Sequence, residues 1–147
     1  MSLVNELNSV YDVIKSMYPT STIARQDVPT SPVANTFVVR VQYDNSETET
    51  RLTFKNDREF QLIYFGSSSM DVLTKIDELN RLFLNDKIAI PIRGSLRYMR
   101  VKGFSFGTPA KSSSSVDYVI GVLQTETREA RDQETYEKIT NVNLTIK

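Results

Sequence analysis

Hydrophobic positions change period several times along the chain. From Ser2 to Tyr18, Val4, Leu7, Tyr11, Ile14 and Tyr18 recur at three- and four-residue steps, and Val10, Val13 and Met17 widen the stripe. This predicts an amphipathic helix, with Asn5, Glu6, Asn8, Asp12, Lys15 and Ser16 largely outside its apolar face. Ser2 is placed to cap the helix, and Pro19 ends it because the residue before a proline avoids helical angles. Between Thr20 and Asn35 periodicity is lost. Pro29 and Pro32 punctuate a Ser/Thr-rich stretch, which predicts a loop that is long for a compact domain.

From Thr36 to Phe65 the period becomes two. Phe37, Val39, Val41 and Tyr43 alternate with more polar neighbours, as do Thr48, Thr50, Leu52 and Phe54, then Phe60, Leu62 and Tyr64. The turn-forming runs Asp44-Asn45-Ser46 and Asn56-Asp57-Arg58 separate these segments, so the pattern predicts a three-stranded antiparallel meander. The third strand is apolar on both faces through Ile63 and Phe65, which predicts a central position or cover on its second side. Gly66 to Ser69 breaks the pattern. Ser68 and Asp71 have capping-box spacing, and Val72, Ile76, Leu79 and Phe83 predict a second helix, with Glu78 and Arg81 near enough to pair.

Ile88, Ile90 and Ile92 then alternate around Pro91, which confines the run to a sheet edge or an extended loop. Leu96 to Phe106 predicts a strand with Tyr98, Arg100, Lys102 and Phe104 on one face. A Ser-rich low-complexity stretch follows, and Val116 to Gln124 predicts another strand. Thr125 to Lys138 is almost wholly polar, and Val142, Leu144 and Ile146 alternate after it. The last two strands are therefore expected to form a hairpin with a long charged tip. The pattern implies an α+β fold: a single, mainly antiparallel β-sheet packed by two helices, with a projecting C-terminal β-hairpin. No repeat or domain boundary interrupts the 147 residues.

Composition narrows the chemistry. Lys plus Arg and Asp plus Glu are 18 each, so the formal net charge is zero and no whole-molecule field draws in nucleic acid or anionic lipid. The chain contains no cysteine and no histidine. Disulfides, thiolate nucleophiles and Ser-His-Asp triads are thereby excluded, together with the commonest zinc ligands. No basic-then-apolar leader opens the sequence and no apolar run is long enough to span a bilayer, so a soluble cytosolic product without membrane partners is expected.

Candidate chemistry is sparse. Glu47 and Glu49 alternate onto one predicted strand face, where paired carboxylates are able to do acid/base work, although solubilising groups are the commoner use of such positions. Arg97, Arg100 and Lys102 interleave with Tyr98, Phe104 and Phe106, the composition of a platform for single-stranded nucleic acid, but the patch is short and the chain neutral. The Gly-Ser run before the second helix lacks the second Gly and the Lys of a phosphate-binding loop. No cofactor or metal is expected. The long loop and the charged tip have little core to bury, which makes them the expected contact surfaces. Their candidate interface residues are Arg25, Asp27, Glu126, Arg128, Glu129, Arg131, Asp132, Glu134 and Tyr136.

Two runs, R-Y-M-R-V-K-G-F-S-F-G-T-P from Arg97 to Pro109 and D-Y-V-I-G-V-L-Q-T-E-T-R-E-A-R from Asp117 to Arg131, with the order of the predicted elements, give the chain its one resemblance. It resembles the tail terminator, or tail completion, proteins of long-tailed bacteriophages and phage-like elements. The resemblance implies a non-enzymatic subunit that assembles with itself into a hexameric ring. Such a ring would cap the tail tube protein, stop its polymerisation and face the head-tail connector. DNA would be met only as it passes through the ring. The implied location is the host bacterial cytoplasm during assembly and then the virion tail. A head-tail connector or another minor virion protein is the alternative within this class, and a single-stranded nucleic-acid-binding module the alternative outside it.

Overall fold

The computed structural model describes residues 2–131. Helix α1 spans Leu3–Met17 and is capped as expected, with Ser2 Oγ accepting from the Asn5 amide at 3.0 Å. Seven strands follow: β1 (Thr22–Arg25), β2 (Thr36–Thr48), β3 (Thr53–Gly66), β4 (Ala89–Pro91), β5 (Tyr98–Phe106), β6 (Ala110–Lys111) and β7 (Asp117–Ala130). Helix α2, Ser69–Arg81, lies between β3 and β4 and runs into a π-helical turn, Leu82–Asp86. The strands form one sheet in the order β1-β2-β3-β7-β5-β4, with β6 also on β7. All pairings are antiparallel except β1 with β2. Among the described residues the fold is therefore α+β, with one mainly antiparallel sheet and two helices.

The expected meander is instead a single long hairpin. Strand β2 continues through Asp44-Asn45-Ser46, and β3 begins at Thr53 and runs through Asn56-Asp57-Arg58 without a break. These six turn-forming residues face one another across the ladder, Asp44 opposite Arg58, Asn45 opposite Asp57 and Ser46 opposite Asn56. Arg58 Nε donates to Asp44 Oδ1 at 2.9 Å and Ser46 Oγ to Asn56 Oδ1 at 2.5 Å. Cross-strand pairing thus satisfies groups that would otherwise favour a turn. The true turn is Glu49 to Leu52, where Thr50 Oγ1 accepts from the Leu52 and Thr53 amides.

Helices α1 and α2 cover one face of the sheet. Val10, Ile14, Val72, Ile76 and Leu79 pack with Phe37, Val39, Phe60, Leu62, Tyr64, Val119 and Leu123 in the main core. Each large apolar side chain buried in this way contributes about 1.5–3 kcal/mol. A smaller cluster of Val38, Ile63 and Phe65, backed by Ala24, Val116 and Tyr118, occupies the other face. Strand β3 is thus central and covered on both sides at this end, as its sequence implies.

The loop from Thr20 to Asn35 is less featureless than its sequence suggests. It holds β1, which pairs in parallel with β2, and its Val28, Pro29, Thr30 and Pro32 line a groove of about 320 Å³ beside Ile63, Phe65 and Tyr118. Pro91 lies in the edge strand β4, where its missing donor costs no ladder bond.

A bulge at Lys102 alters β5. Val101 lies opposite Thr125 and Gly103 opposite Gln124, so the alternation slips by one residue and Phe104 turns onto the core face beside Phe83. In α2, Arg81 pairs with Asp77 at 3.1 Å rather than with Glu78, whose carboxylate accepts from the Tyr18 hydroxyl at 2.7 Å.

The projecting hairpin is not reproduced in the described part. Strand β7 extends through Ala130, so Glu126, Arg128 and Glu129 belong to a ladder and not to a loop tip. Strand β3 lines one edge of β7 along its whole length, while β6 and β5 occupy the other at Asp117 to Tyr118 and Gly121 to Glu126. From Thr127 to Ala130, β7 pairs with β3 alone among the described residues. The expected second arm, 141–146, lies outside the described residues.

Candidate functional site

Beyond the helices the sheet continues as a polar extension built from the ends of β2, β3, β5 and β7. Alternation along these strands places Lys55, Asp57, Glu126, Arg128, Arg100 and Lys102 on the face away from the helices. Glu126 lies at the centre and is only 6% exposed. Arg100 Nη1 approaches it at 2.9 Å, Arg128 Nη1 at 3.3 Å and Lys55 Nζ at 3.9 Å. Around it Arg128 reaches Glu49 at 2.8 Å, Lys55 reaches Asp57 at 3.5 Å and Glu47 at 3.8 Å, and Lys102 reaches Asp57 at 3.2 Å. Arg97 donates to the Arg128 carbonyl. The result is a lattice of alternating charge in which each member has an opposite neighbour.

Burial pushes the Glu126 carboxyl up, but hydrogen bonds from Arg100 and Arg128 outweigh it and hold the group below its ordinary value. Glu126 is therefore ionised at neutral pH. Arg128 is held above its ordinary value by the hydrogen bond and charge of Glu49. Ion pairs of this kind hold their charges fixed near neutral pH.

The helix side of the extension carries a second polar set. Arg58 bonds to Glu6 of α1 and to Asp44, while Glu6 Oε1 is buried without a partner. Desolvation raises the Glu6 carboxyl despite the opposing pull of Arg58. Arg58 itself is held charged: burial lowers its affinity for the proton, but Glu6 and Asp44 reverse the balance. Nearby Asn56 donates to Glu129 Oε2 at 2.5 Å, and the Thr125 hydroxyl donates to the Arg58 carbonyl at 3.3 Å.

The candidate interface residues are thus distributed over three places. Glu126 and Arg128 meet in the charge lattice. Glu129 lies on the helix face, and Arg131 reaches Thr48 Oγ1 at 3.1 Å, its guanidinium 6.0 Å from the Phe54 ring. Arg25 sits at the opposite edge, bonded to Asn8 at 2.9 Å and stacked over Tyr11 at 4.4 Å, with exposed Asp27 in the turn after β1. Asp132, Glu134 and Tyr136 lie outside the described residues.

Glu47 and Glu49 do not form a dyad, because Lys55 holds one and Arg128 the other. The aromatic and basic platform on β5 is also reduced, since Phe104 is half-buried against the core and Arg100 and Lys102 are paired with acids. Among the described residues no group of three or more acidic side chains is arranged to hold a metal ion, and no helix is long and apolar enough to cross a membrane.

Local turn propensity hides the partners that build the lattice, since it assigns Lys55 and Asp57 to a turn or its flank. Their alternation with Asn56 and Arg58, continuing the period of Phe60, Leu62 and Tyr64, is the signal that marks them as strand.

No family model matches the chain, and no curated protein matches it. Seventeen chains of solved structures match in fold. One, whose designation states no activity, covers 90% of this chain and 97% of its own length with a TM-score of 0.51 and 15% identity. At that identity the likeness is one of fold alone: both chains share the arrangement of a curled sheet under helices.

Proposed function

We propose that the chain is a non-enzymatic structural subunit that assembles into a ring on the end of a phage tail tube, ends tube growth and forms the surface joined by the head connector. The observation that carries this reading is the lattice around Glu126. A field of alternating charge in fixed register is matched by a second field of the same kind, since each ion pair is able to exchange partners with its counterpart across an interface. The two runs that resemble tail terminators coincide with β5 and β7, the adjacent strands that carry Arg100, Lys102, Glu126 and Arg128. A single-strand nucleic-acid platform is disfavoured, because the cations it needs are already bound to carboxylates.

Sedimentation velocity and negative-stain imaging test the proposal. Purified protein at high concentration, alone or with tail tube protein, is expected to form closed rings that load onto tube ends, with assembly weakened as salt is raised. A chain that stays monomeric under both conditions and never caps a tube would overturn it.

A further inference from the structure

We propose that the groove on the helix-free face of the sheet, with the neighbouring Arg40, is a binding site for a small carboxylate that carries an aromatic ring. The proposal is independent of the ring-forming reading. The charge lattice uses Lys55 and Asp57 of β3, whereas the groove uses Ile63 and Phe65 at the other end of that strand.

The groove supplies the apolar half of the site. Ile63 and Phe65 of β3 and Tyr118 of β7 line it beneath Val28, Pro29 and Pro32 of the loop after β1, around a space of about 320 Å³. A cavity of that size takes a small ring-bearing molecule. The Phe65 and Tyr118 rings are tilted by 41° with their centroids 5.8 Å apart. A further aromatic ring is favoured beside such a pair, because ring edges and faces carry opposite partial charge.

Arg40 supplies the polar half. It lies opposite Gln61 in the β2–β3 ladder and shares a face with Val38 and Ile63. Ile63 is its diagonal cross-strand neighbour, a separation of about 7–8 Å that a long side chain covers. Arg40 Nε is buried without a hydrogen-bond partner, and among the described residues no carboxylate answers the guanidinium. The adjacent side chains bond to one another instead. Gln61 Nε2 donates to Gln42 Oε1 at 3.3 Å, and Gln42 Nε2 donates to Glu59 Oε1 at 3.2 Å. On the same face Lys55, Arg100, Lys102 and Arg128 are all paired with acids, and Arg40 stands apart from them. A charged donor buried without an acceptor is costly, and an incoming carboxylate removes that cost. A short alkyl link between ring and carboxylate spans the diagonal from the groove to Arg40.

Phenylpropionate and its neutral counterpart phenylpropanol, titrated into the full chain by calorimetry and followed by solution NMR, test the assignment. Phenylpropionate is expected to bind once per chain and to shift the amide signals of Ile63, Phe65 and Tyr118 together with the Arg40 Nε–H signal. Phenylpropanol is expected to bind at least about tenfold more weakly and to leave the Arg40 signal in place. Arg40→Met keeps an apolar stem but removes the charge. It is expected to bring phenylpropionate down to the affinity of phenylpropanol without changing the affinity for the alcohol. Val28→Asp, at a rim position 38% exposed, is expected to weaken both ligands, and it keeps the test valid if the Arg40 variant does not fold. Equal affinities for acid and alcohol in the wild type would overturn the assignment. Binding of neither at millimolar concentration would overturn it too, as would an Arg40 Nε–H signal that phenylpropionate leaves unmoved.

Discussion

Glu6 and Arg58 show how a single buried pair ties α1 to the sheet extension. The sequence pattern leaves Glu6 largely outside the apolar stripe of α1, yet the folded helix buries it in line with Val10 and Val13. A carboxylate in that line needs a cation beneath it, and Arg58 supplies one only because β3 is straight where a turn is expected. Removing one partner strands the other charge in a dry site, which typically costs 3–5 kcal/mol. Asp44 stays bonded to Arg58, so Glu6→Ala is expected to lose about 2–3 kcal/mol by urea unfolding at neutral pH, at or below the low end of that range. Glu6→Gln is expected to lose less. Because the folded state raises the Glu6 carboxyl, its favourable contribution is complete at low pH and is lost as pH rises through the raised value. The Gln variant should therefore gain on the wild type between acid and neutral pH, and a gap that widens instead would contradict the raised carboxyl.

At the level of elements, the helices are legible in the sequence and the hairpin is not. Helix periodicity is strong because the stripes of α1 and α2 bury against a ready surface, and both Ser caps follow from local geometry alone. Asp44-Asn45-Ser46 and Asn56-Asp57-Arg58 favour turns singly, but each is answered by the other across the ladder, which is long-range information a local reading lacks. The bulge at Lys102 is invisible for the same reason, because one extra residue in β5 is set by the partner strand. The charge lattice depends on all of these, so sequence pattern alone marks only Glu126 and Arg128 of its members as interface candidates. Within the lattice the sign of the pH effect is opposite to that of Glu6. The Glu126 carboxyl is held below its ordinary value, so its stabilisation is present above the unfolded value, near 4.5, and is lost as pH falls through the folded one. Glu126→Gln should destabilise at pH 7, and the difference from wild type should close as pH falls below the unfolded value and through the lowered folded one, in thermal melts followed by circular dichroism. A difference that persists unchanged in acid would show that Glu126 acts by packing and not by charge.

For the whole molecule, the position of β7 decides cooperativity. It is the second-last strand of the sequence pattern but lies inside the sheet, joining the long β2–β3 hairpin to β5 and β4. Val119 and Leu123 are fully buried in the main core, and Gly121 lies so close to Phe104 that an added Cβ would come within 2.6 Å of the ring. Such close packing leaves neither half of the sheet with a complete core of its own. A chain cut after Ser115 removes β7 and exposes the inner edges of β3 and β5 together. The apolar burial that β7 supplies is comparable in free energy with the about 5–15 kcal/mol by which a domain of this size is stable. That chain is expected to show no cooperative unfolding transition, whereas a chain cut after Arg131, which keeps every described element, is expected to fold. A cooperative melt from the shorter chain would mean that the hairpin and helices form a stable unit without β7, and that β7 only docks on a sheet already made.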